Sequence, residues 1–99
     1  MSDKKNILIV GAGFAGTVIA RELANTDNYN ITIIDKRNHI AGNTYDPICL
    51  KTGNRYHKYG PHIFHTNDKK IWDYVNQFAT FNNYINSPLS LSKGKLYNL

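Results

Sequence analysis

The chain has 99 residues, 41% of them hydrophobic, a globular composition with room for one small domain. Its net charge of +5 comes from scattered lysines and arginines, without the dense basic run or motif of a nucleic-acid binder. The single cysteine, Cys49, excludes an intrachain disulfide, and no apolar run approaches the ~20 residues of a membrane span. A cytoplasmic protein without membrane insertion is the expectation. Lys4 and Lys5 precede an apolar stretch, but it breaks at Gly11, too soon for a signal peptide.

Asn6–Val10 is a continuous, largely β-branched run ended by glycine, which predicts a strand buried on both faces. From Phe14 to Ala24 the period becomes helical, with Phe14, Val18, Ile19 and Leu23 as its apolar face. Asn25–Asn30 is polar turn material, and Ile31–Ile34 is a second buried strand ending at Asp35. Strand, helix and strand within roughly 30 residues make a βαβ unit.

Residues 36–66 carry little periodicity, and a loop this long points to a ligand. Short strands are expected between Tyr56 and Phe64. Thr66-Asn67-Asp68 reads as a cap for a helix whose apolar face is Ile71, Trp72, Tyr74, Val75 and Phe78. These aromatics are assigned to helix core rather than to a cofactor. Leu89–Leu99 reads as a β-hairpin turning at Lys93-Gly94. The chain stops within the second hairpin strand, so an incomplete domain is expected.

Gly11-Ala12-Gly13-Phe14-Ala15-Gly16 is G-x-G-x-x-G between a strand and a helix. Gly11 permits the tight turn, Gly13 lets the backbone approach a pyrophosphate, and Gly16 lets helix and strand pack closely. Ala20 keeps that contact thin one turn later. The pyrophosphate belongs at the helix N-terminus, where N–H groups and the dipole favour anions. Asp35, ending the second strand, can accept both ribose hydroxyls of an adenosine, which favours FAD or NAD over NADP. The fingerprint does not separate those two.

His57, His62 and His65 match no usual zinc spacing and Cys49 has no thiol partner, so no metal is expected. Cys49 reads as an ordinary thiol.

Lys36-Arg37-Asn38-His39-Ile40-Ala41-Gly42-Asn43-Thr44-Tyr45 resembles the segment that follows the second strand in amine-oxidase-like flavoproteins. His57–Asp68, Ile71–Asn76 and Asn86-Ser87-Pro88-Leu89 closely resemble the UDP-galactopyranose mutase family. The resemblance covers nearly the whole chain. It implies an isomerase that interconverts UDP-galactopyranose and UDP-galactofuranose through a covalent adduct of reduced FAD, for cell-surface polysaccharide biosynthesis. Residues 1–99 would be the N-terminal part of its FAD-binding, Rossmann-like domain, with the substrate domain absent, the fragment inactive alone, and the parent able to form homo-oligomers.

By matching positions, the resemblance puts Gly11, Gly13, Phe14, Ala15 and Gly16 at the FAD phosphates. It puts Asp35 and Lys36 at the adenosine and Asn43 at the linker, with Arg37 and Gly42 also binding the cofactor in the segment that wraps along its pyrophosphate and ribityl region. His62 and Ile63 fall against the flavin ring, His62 being the candidate that acts on it, and Asn86 falls at the UDP-sugar. Two departures stand out: Ala41 replaces the first of two expected glycines, and Pro61 precedes His62 where a small residue is expected. The rival readings are another amine-oxidase-like FAD oxidoreductase and a non-catalytic remnant.

Overall fold

The computed structural model describes residues 4–99. They divide into a first unit running through His62 and a second from Ile63 to Leu99.

In the first unit, Lys5–Val10 form β1, Phe14–Ala24 form α1 and Tyr29–Ile34 form β2. The two strands pair in parallel, from Lys5 against Tyr29 to Val10 against Ile34. The ladder runs one step further, where Gly11 N–H donates to the Ile34 carbonyl at 2.7 Å. Sequence and structure agree on α1 at both ends. β2 starts earlier than expected, because Tyr29 and Asn30 pair with Lys5 and Asn6 despite their polar neighbourhood. Asn30 also donates a side-chain hydrogen bond to Asn6 at 3.1 Å.

Alternation decides the two faces of this sheet. Ile7, Ile9 and Ile31 are half-buried, whereas Leu8 and Val10 are exposed. The expectation of strands buried on both faces is therefore corrected: α1 packs against one face only among the described residues.

The helix face is corrected too. Phe14, Val18 and Ile19 are exposed, and the residues turned inward are Gly16, Ala20 and Leu23, with Ala20 buried. The physical reason is the closeness of the contact. A Cβ on Gly16 would stand 2.0 Å from the Gly11 carbonyl oxygen and 3.2 Å from the Ile9 Cγ2. Only the small-residue stripe of the helix fits against the strand, so larger apolar residues turn outward.

Residues 35–62 hold one turn of 3₁₀ helix, Gly42–Thr44, and an isolated antiparallel bridge between Ile48 and Arg55. No strand forms between Tyr56 and Phe64. Gly60 adopts φ +94° and Pro61 has no N–H to give a ladder, so an extended pairing is not sustained there. Instead Tyr56 N–H reaches the Pro47 carbonyl, Arg55 the Asp46 carbonyl, and His57 Nδ1 the Asp46 carboxylate at 3.0 Å.

In the second unit, Lys69–Val75 form α2. Asp68 caps it, its carboxylate accepting Lys70 N–H at 2.8 Å and Ile71 N–H at 3.4 Å, as the sequence signal predicts. The helix ends before Phe78, where Asn76 folds its side chain back to the Trp72 carbonyl at 2.7 Å. Trp72 gathers with Phe64 and Phe81, and Tyr74 meets Phe78 edge-on. Leu89–Ser92 (β3) and Lys95–Asn98 (β4) make the expected hairpin. Lys93 and Gly94 both take positive φ, as a type I′ turn demands.

Candidate functional site

The site grows from the glycine turn. Gly11 takes φ +112°, a conformation suited to glycine, and delivers the chain into α1. Gly13 occupies the N-cap position and offers no side chain to cap the helix. The first-turn N–H groups therefore receive no side-chain cap, and they carry the positive end of the helix dipole. That arrangement suits an anion.

Asp35 is fastened to this turn. One carboxylate oxygen accepts the Ala12 N–H at 2.8 Å and the other accepts the Arg37 N–H at 2.8 Å. These backbone donors, Ala12 first and Arg37 second, hold the Asp35 carboxyl below the usual carboxylate range. Each oxygen keeps a further lone pair, so the group remains able to accept a ligand hydroxyl. Val10, Gly11, Asp35, Lys36 and Arg37 line an open groove of about 280 Å³.

The loop after β2 folds back over the glycines. Ala41 N–H donates to the Ala12 carbonyl at 2.9 Å. A Cβ on Gly42 would lie 3.0 Å from the Gly13 Cα, so two glycines meet backbone to backbone. Ala41 itself sits at φ +76°, ψ 0°, a left-handed position that glycine occupies without strain. The departure read from the sequence at Ala41 thus falls where the backbone asks for glycine.

Arg37 donates to the Asn43 side-chain oxygen at 2.9 Å, and its guanidinium lies 4.3 Å from the centre of the Tyr59 ring. His39 connects to the same tyrosine, with Nε2 2.8 Å from the hydroxyl, and its ring stacks on Tyr45 at 3.9 Å. Sequence reading missed His39, Tyr45 and Tyr59. They lie in the two segments that carry the family resemblance, but nothing in their spacing singled them out.

The first unit brings together Gly11, Gly13, Gly16, Asp35, Lys36, Arg37, Gly42 and Asn43. Phe14 and Ala15 begin α1 on its exposed side. His62 ends the unit, exposed, with Nδ1 2.8 Å from the Gly60 carbonyl. A carbonyl only accepts, so Nδ1 carries the proton and Nε2 bears the lone pair of the neutral ring. Ile63 and Asn86 belong to the second unit, both exposed, with Asn86 in an irregular stretch before β3.

The pattern of the NAD(P)-binding Rossmann-like domain family matches residues 9–78. The chain belongs to that family. This Rossmann-like chain is 48% identical over 98% of its length to a probable UDP-galactopyranose mutase of Klebsiella pneumoniae. It is 47% identical over 94% of its length to dTDP-fucopyranose mutase of Escherichia coli. Over 80% of its length it is 49% identical to UDP-galactopyranose mutase of Mycoplasma genitalium. It spans 25%, 24% and 19% of these relatives, respectively. No helix among the described residues is long and apolar enough to cross a membrane.

Proposed function

We propose that the chain is the FAD-binding front of a nucleotide-sugar pyranose mutase that acts on UDP-galactopyranose. The 48% identity over 98% of the chain carries this reading, because it runs through the histidine–aromatic segment as well as the glycine turn. The residues fit the cofactor. Gly13 and the uncapped start of α1 leave room and donors for a diphosphate, and Asp35 stands in the groove as an acceptor for ribose hydroxyls.

In this reading Gly13, Phe14, Ala15 and Gly16 offer backbone N–H groups to the diphosphate, and Gly11, its own N–H taken by the Ile34 carbonyl, shapes the turn beside it. Asp35 and Lys36 meet the adenosine side, and Arg37, Gly42 and Asn43 hold the middle of the dinucleotide. Bound here in its reduced form, FAD would supply a nitrogen nucleophile for the anomeric carbon of the sugar, with UDP as the leaving group. By the resemblance alone, His62 and Ile63 are assigned to the flavin ring and Asn86 to the substrate. The protein's part is to bind, orient and exclude water.

A second reading has a specific observation in its favour: the dTDP-fucopyranose mutase relative is 47% identical. Apart from Asn86, the residues named above address the dinucleotide rather than the sugar, so they do not discriminate between the two substrates.

The test is a chimaera in which this chain replaces the matching 97 residues of the Klebsiella relative. With FAD and dithionite it is expected to convert UDP-galactofuranose, and a folded chimaera that binds FAD but converts nothing sinks the mutase reading. Conversion of a dTDP-fucose substrate instead favours the second reading. The 99-residue chain alone is expected to show negligible turnover.

A further inference from the structure

We propose that Tyr59 is a positioning residue for diphosphate recognition, acting through Arg37. The inference rests on the dinucleotide reading above and concerns a residue that would not itself touch the ligand.

Arg37 belongs to the groove wall, beside Gly11 and Asp35. It is the residue whose backbone N–H fastens Asp35 and whose guanidinium holds Asn43 next to Gly42. Gly42 in turn lies against Gly13, where a diphosphate would approach the turn. Asn43 takes one guanidinium N–H, leaving further donors for an anion. A long, flexible cation serves such a site well only if it is held in place before the ligand arrives.

Tyr59 supplies that hold. Its ring lies 4.3 Å beneath the guanidinium, and both residues are half-buried. The tyrosine is fixed in its turn by His39. His39 Nδ1 is 2.8 Å from the Ile40 carbonyl, which can only accept, so Nδ1 carries the proton. His39 Nε2 lies 2.8 Å from the Tyr59 hydroxyl, within hydrogen-bond distance, while Tyr45 stacks on the imidazole. The result is a chain of contacts, Tyr45 to His39 to Tyr59 to Arg37. It ties residues 57–62 to the loop that covers the glycines. Lys58 Nζ also approaches the Tyr59 ring, at 5.6 Å, a longer and looser contact.

The decisive experiment is a double-mutant cycle on the dissociation constants of ADP and FAD, measured by titration calorimetry on the full chain. Tyr59→Leu is expected to weaken both ligands roughly three- to tenfold. Tyr59→Phe keeps the ring and is expected to lose less. The double variant Arg37→Gln/Tyr59→Leu is expected to bind no worse than Arg37→Gln alone, because Tyr59 acts through Arg37. Additive losses, or unchanged binding by Tyr59→Leu, overturn the inference while leaving the dinucleotide reading intact. Failure of the unsubstituted chain to bind either ligand overturns both. Nuclear magnetic resonance on the unsubstituted chain gives an independent check should Tyr59→Leu not fold. The Arg37 guanidinium signals, displaced by the Tyr59 ring, are expected to move when ADP is added, and signals that stay in place overturn the inference.

Discussion

Gly42 and Gly13 meet so closely that a Cβ on Gly42 would stand 3.0 Å from the Gly13 Cα. Gly42 also holds φ +57°, so it is confined to glycine by both contact and conformation. Gly42→Ala is expected to destabilise the fold by about 1–2 kcal/mol and to lift the loop from the glycine turn. Thermal unfolding reads the first effect, and a parallel loss of ADP affinity reads the second. An alanine variant as stable and as tight as the parent would show that the backbone contact is dispensable.

Ala41 gives the opposite sign. Its φ of +76° puts a side chain in the left-handed region, at a cost of about 1–2 kcal/mol relative to ordinary backbone. Ala41→Gly removes that strain but frees the unfolded chain, which takes back about 0.4–1 kcal/mol. The expected net is a small gain, of about half a kcal/mol. Chemical denaturation of the two proteins side by side measures it, and a clear loss of stability would refute the strain.

These neighbours also show what sequence makes legible. The βαβ unit is a local device, carried by a motif and its immediate context, and it is present in the structure, whereas the bond from the Ala12 N–H to Asp35 was not read from the sequence. The hairpin at Lys93-Gly94 and the Asp68 cap are local in the same way. The inward face of α1 was not legible from hydropathy, which ranks Phe14 and Val18 above Gly16, although the glycine motif did assign Gly16 and Ala20 to the strand contact, where closeness to Gly11 selects for size. Nor was the start of β2, where backbone pairing overrides the polar look of Tyr29-Asn30. The Arg37–Tyr59–His39 cluster joins segments far apart in the chain through side-chain geometry, which leaves no periodic trace.

Gly16 is the sharpest steric test. With a Cβ placed 2.0 Å from the Gly11 carbonyl oxygen, Gly16→Ala must push α1 away from β1. The neighbour is backbone, which has little room to yield, and the expected loss is about 2–3 kcal/mol. Because the displaced helix carries the donors proposed for the diphosphate, ADP binding should fall with stability. A Gly16→Ala variant that melts with the parent would contradict the close helix–strand contact.

Asp35 yields a prediction in pH. Its carboxyl is held below the ordinary range, first by the Ala12 N–H and then by the Arg37 N–H, so folding favours the ionised form. A group with a depressed folded pKa contributes stability above its unfolded value, about 3.9 for aspartate, and loses it as pH falls through the folded value. Asp35→Asn removes that linkage. It replaces one acceptor oxygen by an N–H₂ group that cannot accept from Ala12 or Arg37. The melting-temperature gap between parent and variant should therefore be widest near neutral pH. It should narrow steadily as the pH is lowered below about 4. Binding adds a second reading, since the amide also loses an acceptor for a ribose hydroxyl, and ADP affinity at neutral pH should drop roughly tenfold. A gap that stays constant from neutral to acid pH would mean that the Asp35 charge contributes nothing to the glycine turn.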